Sequence, residues 1–132
     1  MGARQNLENN FDFEIVDEFL DHYSIMLELL EPLIAKLDNG NNYRDNLDEL
    51  FRIFHNLKSA SSFLKIEPIS RLTTFVENYL DTLRSYSRPT SEDVIRWLFK
   101  IHDMLLIWHD DLQLDKELSK IDFSLLKLPD NG

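Results

Sequence analysis

A chain of 132 residues with 43% hydrophobic and 11% aromatic residues is long enough for one domain with a buried core. Three glycines and four prolines are too few for the many turns of an all-β sandwich, and the net charge of −10 disfavours binding to nucleic acid or to an anionic membrane surface. The absence of cysteine excludes disulfides, thiolate zinc sites and cysteine nucleophiles.

The N-terminal third of the chain predicts a loose segment followed by one long helix. Residues 1–11 are polar and lack the apolar core of a signal peptide, so we expect a flexible segment there. Residues 13–37 place apolar side chains three and four positions apart, which is the spacing of an amphipathic helix. Pro32 removes a backbone donor within it and predicts a kink or a break near Leu30. Residues 38–42 form the clearest predicted loop.

Three more amphipathic segments follow, and their spacing predicts helices over residues 43–64, 68–83 and 91–114. The stretch 116–128 is long enough for a short fifth helix, and residues 129–132 form a tail or the start of a linker. The predicted fold is therefore all-α: an antiparallel four-helix bundle with a short fifth C-terminal helix packed on it. No second long apolar stripe is left over, so we expect a monomer. No apolar run reaches about 18 residues, so we expect no membrane span. The lack of cysteine agrees with a reducing cytoplasm, where we expect the chain to act.

The four histidines do not follow the usual metal-binding patterns of helical proteins. Neither Glu-x-x-His, the di-iron motif of helix bundles, nor His-Glu-x-x-His occurs in the chain. His102 and His109 lie two helical turns apart with aspartates beside them, which leaves a surface metal site as a weak alternative. We therefore predict no metal site.

His55 stands out because of the residues that share its helix face. It lies on the shoulder of the apolar stripe, about 100° around the helix from Phe54. An ammonium group and two small hydroxyl side chains follow at positions i+3, i+4 and i+7, namely Lys58, Ser59 and Ser62. Small neighbours leave the imidazole open to a large partner, and the lysine offers charge to an anion. This pattern favours a phosphoryl group on the histidine.

Glu77, on the next predicted helix, is a candidate partner for His55. It lies at the edge of its own apolar stripe, and an antiparallel arrangement of the two helices would bring it close to the height of His55. A carboxylate that accepts a hydrogen bond from Nδ1–H would fix the tautomer and leave the Nε2 lone pair free. It would also support the positive charge that develops when Nε2 attacks phosphorus.

These residues carry a resemblance to a known family. The run His55-Asn56-Leu57-Lys58-Ser59-Ala60-Ser61-Ser62-Phe63-Leu64 is similar to the histidine phosphotransfer (HPt) signature H-x-L-K-G/S-x-S/A-x-x-L/F-G. The run Phe75-Val76-Glu77-Asn78-Tyr79-Leu80-Asp81 resembles the following helix in the phosphotransfer domain of chemotaxis histidine kinases. The resemblance implies an HPt bundle over residues 12–128. Three positions depart from the family pattern: Ser59 and Lys65 replace glycines, and Thr74 stands where many members have a second histidine.

The resemblance also implies roles and partners. His55 would be phosphorylated, Lys58 and Glu77 would assist the transfer, and exposed residues around the histidine would dock the partners, namely Arg52, Ser59 and Ser62. The partners would be a kinase ATP-binding domain and the receiver domain of a response regulator. ATP and Mg²⁺ would belong to those partner domains, so we expect no cofactor here and no catalytic activity in the isolated domain.

Two questions stay open at this point. The alternative to phosphotransfer is a non-catalytic helical adaptor that binds a partner through one face of the bundle. The sequence also leaves open whether the chain is a whole protein or the N-terminal piece of a longer kinase.

Overall fold

The computed structural model describes residues 2–38, 42–86 and 88–130, and within them the secondary structure is entirely helical. Five α-helices and one short 3₁₀ helix occur: α1 (Ala3–Glu8), α2 (Phe13–Ala35), α3 (Tyr43–Phe63), α4 (Glu67–Leu83), α5 (Glu92–Gln113) and the 3₁₀ turn Phe123–Leu126. Helices α2 to α5 form the predicted bundle around one core, to which every one of them contributes buried residues. No helix in this part of the chain is long and apolar enough to cross a bilayer.

Helix α2 contains Pro32 without interruption. The sequence predicted a kink or a break near Leu30, and the break does not occur, because the helix continues through Pro32 to Ala35. Pro32 and Glu28 both lie on the exposed side of α2, where a carbonyl that has lost its helical donor can bond to water instead. Of the loop predicted over residues 38–42, positions 39–41 lie outside the described residues.

The N-terminal segment, expected to be flexible over residues 1–11, contains helix α1 and packs against the end of α5. Leu7 is buried, and the backbone N–H of Gln5 donates to Oδ1 of Asp115 at 3.0 Å. A Cβ atom on Gly2 would lie 1.9 Å from the carbonyl oxygen of Asp115, so this close approach requires glycine. The segment is held by residues that follow more than one hundred positions later.

A C-terminal strap, residues 115–130, replaces the predicted fifth α-helix. Its regular structure is limited to the 3₁₀ turn, and several of its backbone groups bond to side chains of the bundle. The indole N–H groups of Trp97 and Trp108 donate to the carbonyls of Leu125 and Ser119, both at 2.8 Å. The strap is therefore packed on the bundle as expected, with a different backbone conformation.

The antiparallel contact of α3 with α4 sets the geometry of the site. Side chains of α3 meet side chains of α4 and of Arg84, which directly follows α4, at intervals of two helical turns. We call this row the α3–α4 seam: Asp48 with Arg84, His55 with Glu77, and Ser62 with Ser70. A connection of only three residues between the helices fixes this register.

Candidate functional site

His55 is held at the edge of the α3–α4 seam by the buried residues beside it in α3. Phe54 and Leu57 are fully buried, and this fixes the rotation of α3 about its axis. His55 consequently lies at the border of the core, with 52% of its side chain exposed. A ring in this position is anchored on one side and accessible to a partner protein on the other.

Glu77 joins His55 and Lys58 through its two carboxylate oxygens. Oε1 lies 2.9 Å from Nδ1 of His55, and Oε2 forms an ion pair with Nζ of Lys58 at 2.7 Å. The Glu77 side chain is only 10% exposed. Burial raises the pKa of Glu77, but the contacts with Lys58 and His55 outweigh it, so the pKa lies below its usual value. The site therefore holds an ionised carboxylate beneath the imidazole.

The carboxylate determines which imidazole nitrogen can react. An ionised carboxylate only accepts hydrogen bonds, so Nδ1 must carry the proton in this contact. Nε2 of the neutral ring then carries the lone pair. The contact between Nδ1 and the Glu77 carboxylate is the one expected from the sequence. That the acid orients the ring, without belonging to a complete triad, stays a prediction.

Lys58 contacts Glu77 directly. Its side chain is 29% exposed, and its ammonium group lies against the carboxylate. The expectation from the sequence was that this lysine offers its charge to an anion at the histidine. The ion pair gives Lys58 a contact with the group that orients the histidine.

The other predicted residues surround the histidine on the exposed face of α3. Arg52, Ser59 and Ser62 are all exposed. Arg52 pairs with Glu49 within its own helix, and the hydroxyls of Ser62 and Ser70 lie 2.7 Å apart across the seam. All three therefore lie on the exposed side of α3 that also carries His55.

The two other departures from the family pattern have local structural explanations. Thr74 donates its hydroxyl hydrogen to the carbonyl of Ser70 at 2.7 Å, which turns it back along its own helix. Lys65 adopts the left-handed conformation at φ 58°, which is the conformation that favours glycine after a helix. The N–H of Ile66 donates to the Ser61 carbonyl at 2.9 Å and completes the C-terminal cap of α3.

One residue near the histidine was missed as a site residue by the sequence analysis. The ring of Phe51 lies nearly parallel to the imidazole of His55, at 17° with 6.5 Å between ring centroids. The Arg84 guanidinium carbon in turn lies 4.5 Å from the Phe51 ring centroid. Phe51 stands four residues before His55, and this spacing places the two side chains next to each other on a helix. The same spacing is also typical of an aromatic residue in the apolar core stripe, so the sequence did not single out Phe51.

The described residues contain no group of three His, Asp or Glu side chains arranged to hold a metal ion. His102 contacts the carbonyl of Leu27 through Nε2 at 2.9 Å, and His109 packs on the ring of Tyr23 with centroids 5.4 Å apart. The two histidines have separate structural partners.

Comparison with known proteins assigns the family. The model of the Hpt domain matches residues 14–122, which is most of the chain. The chain belongs to the Hpt domain family. It is a histidine phosphotransfer domain that resembles those of chemotaxis kinases, in agreement with the signature around His55.

The similar curated proteins are two chemotaxis proteins and a sensor histidine kinase. The chain is 29% identical to chemotaxis protein CheA of Borreliella burgdorferi over 76% of its length, 32% identical to that of Treponema pallidum over 70%, and 27% identical to sensor histidine kinase CheAY of Helicobacter pylori over 70%. The matched regions span only 11–12% of these relatives. No solved structure is significantly similar to the chain.

Proposed function

We propose that His55 receives a phosphoryl group on Nε2 from ATP held by a histidine kinase and passes it to an aspartate of a response-regulator receiver. The observation that supports this most directly is the half-exposed imidazole whose Nδ1 contacts the buried, ionised Glu77. A surface histidine without a function needs no buried carboxylate, whereas a nucleophilic ring nitrogen gains from one.

The chemistry requires little from this domain beyond position and charge. The Nε2–P bond forms as the bond from the γ-phosphorus to the bridging oxygen breaks, and ADP leaves. Glu77 stabilises the positive ring through the Nδ1–H bond, and Lys58 keeps Glu77 ionised and in place. In the second transfer a receiver carboxylate attacks phosphorus, the N–P bond breaks, and the imidazole returns to its starting state.

The partners supply everything else in this proposal. ATP and Mg²⁺ enter with the kinase and receiver domains, and both partners cover the α3 surface marked by Arg52, Ser59 and Ser62. We further propose that the domain acts in the cytoplasm as a monomeric module of a chemotaxis kinase, since the relatives are chemotaxis proteins and a sensor histidine kinase, of which it matches a small part.

The test is phosphoryl uptake from radiolabelled ATP in the presence of the ATP-binding part of the chemotaxis kinase from the same organism. His55→Gln should abolish uptake and leave the helical circular dichroism unchanged, because the half-exposed ring contributes little to the core. His22→Gln is the matched control, since His22 is an exposed helical histidine outside the seam. Uptake that survives in His55→Gln would exclude the proposed acceptor. A folded wild-type domain that takes up no label would favour the adaptor.

A further inference from the structure

The imidazole of His55 needs more than one contact to hold its orientation. The bond from Nδ1 to Glu77 fixes one edge of the ring, at 2.9 Å, but a single hydrogen bond allows the ring plane to tilt about it. Half of the side chain faces outward, so solvent gives no further restraint on that side. A restraint on the ring plane must come from a neighbouring side chain.

Phe51 is that neighbour. It precedes His55 by four residues, so both side chains project from the same face of α3. Its ring is nearly parallel to the imidazole, with an interplanar angle of 17° and 6.5 Å between centroids. This separation lies within the range of favourable offset aromatic pairs. The contact limits the tilt that the Glu77 hydrogen bond leaves free.

Arg84 holds Phe51 from the other side. Its guanidinium carbon lies 4.5 Å from the ring centroid, while the guanidinium nitrogens pair with Asp48 at 3.0 Å and Asp81 at 3.5 Å. The two carboxylates come from different helices, so they fix the guanidinium over the seam. The two carboxylates also balance the positive charge of Arg84. The main contribution of Arg84 near His55 is therefore its packing against the Phe51 ring.

We propose that Phe51, clamped by Arg84, is a positioning residue that keeps the His55 imidazole aligned with Glu77 and its Nε2 free to react. The inference rests on the proposed function in one respect, that Nε2 of His55 is the reacting atom. Phe51 would give His55 a second orienting contact besides the one with Glu77. The Phe51 contact restrains the plane of the ring, whereas the Glu77 contact holds the Nδ1 proton.

The first measurement tests ring alignment without any partner protein. The nitrogen chemical shifts of His55 report the fraction of the ring protonated at Nδ1. Phe51→Leu should lower that fraction, because a branched aliphatic chain offers no flat surface to the imidazole. A ring that is free to tilt keeps less of the hydrogen bond with Glu77 that selects the Nδ1–H form. Phe51→Tyr keeps the ring and should restore the wild-type fraction. Phe63→Leu is the matched control, since Phe63 is an exposed aromatic residue of the same helix whose ring pairs with Phe11 at 5.7 Å.

The second measurement is the rate of phosphorylation by phosphoramidate, a small donor that requires no docking. The Nε2–P bond forms while the P–N bond of the reagent breaks, and ammonia leaves. We expect Phe51→Leu to slow this reaction about three- to tenfold relative to Phe63→Leu, the range expected for one aromatic pair. Arg84→Gln should slow it less, and should have no further effect once Phe51 is Leu.

The outcomes separate this inference from the function on which it rests. Phosphoramidate labelling that persists in His55→Gln would contradict the proposed acceptor. Labelling confined to His55, with equal rates and equal Nδ1 protonation in Phe51→Leu and Phe63→Leu, would overturn the role of Phe51 alone. A slow Phe51→Leu variant with unchanged circular dichroism and rescue by Phe51→Tyr would support it.

Discussion

Helix α4 meets α3 through polar side chains and meets α5 through aromatic rings. On the α3 side, Ser70, Glu77 and Arg84 each bond to a polar side chain across the seam. On the α5 side, the rings of Phe75 and Tyr79 lie 6.3 and 5.3 Å from Trp97, in edge-on geometry.

The two sides of α4 differ in their exposure to solvent, and we expect the closed side to contribute mainly to stability and the open side to the chemistry of His55. The aromatic side is covered by the C-terminal strap, because Trp97 and Tyr79 donate hydrogen bonds to the carbonyls of Leu125 and Pro129. The α3 side leaves half of the His55 side chain exposed. One helix thus contributes both to a closed apolar contact and to an open reactive one, and substitutions on its two sides should have different consequences.

The largest expected effect is on the closed side. Trp97→Ala removes a 6% exposed indole together with its ring contacts and its strap hydrogen bond. We expect the free energy of unfolding to fall by about 3–5 kcal/mol, as for other large-to-small core changes. Urea unfolding followed by circular dichroism measures it. Leu106→Ala, at an exposed position of the same helix, should change it by less than about 0.5 kcal/mol.

A smaller loss than about 1 kcal/mol in Trp97→Ala would contradict the stabilising role of the aromatic side. A second readout sharpens the comparison. Under conditions where Trp97→Ala remains folded, the fraction of His55 protonated at Nδ1 should not change. His55 lies on α3, and its partner Glu77 contacts it across the α3–α4 seam, away from Trp97.

The next effect belongs to the open side. Glu77→Gln keeps the shape of the side chain but removes the charge that supports the positive imidazole. A hydrogen bond to a charged group contributes about 1.5–3 kcal/mol, so we expect phosphorylation by phosphoramidate to slow about ten- to a hundredfold. Glu67→Gln is the control, because Glu67 is an exposed carboxylate of the same helix that pairs with Arg71. Equal rates in the two variants would remove Glu77 from the mechanism.

The same pair of variants predicts a pH dependence. The pKa of Glu77 in the folded state lies below its usual value of 4.5, so ionised Glu77 stabilises the fold above that pH. This contribution is lost as the pH falls through the lowered pKa. The difference in unfolding free energy between wild type and Glu77→Gln should therefore shrink in acid. A difference that stays constant between neutral pH and pH values below about 4 would contradict the lowered pKa.

The bundle and the pairing of His55 with Glu77 could be predicted because their signals are local. Apolar spacing located the four long helices, and the short turn between α3 and α4 brought Glu77 to the height of His55, where the structure places it at 2.9 Å. The remaining features depend on distant partners. Helix α1 contacts Asp115, and the strap bonds to two tryptophans, contacts that no spacing rule within a short window can reveal.

Lys65 supplies the smallest effect, at the end of the seam. Its φ of 58° is the conformation that glycine adopts freely and that side chains with a Cβ resist by roughly 1–2 kcal/mol per residue. Replacing Lys65 with glycine would remove this cost, but part of the gain in stability is offset because glycine loses more backbone freedom on folding. We expect Lys65→Gly to raise the free energy of unfolding by about 0.5–1 kcal/mol, measured by urea unfolding, without changing the phosphorylation rate.

Asp115 provides the matched test of this reasoning. It has the same left-handed conformation, at φ 54°, in the corresponding position after α5. Its carboxylate also accepts the hydrogen bond from Gln5 at 3.0 Å, and aspartate tolerates this conformation better than lysine. Asp115→Gly should therefore raise the free energy of unfolding by less than Lys65→Gly does, or should lower it. A larger gain at Asp115 would mean that backbone strain is not what distinguishes the two caps.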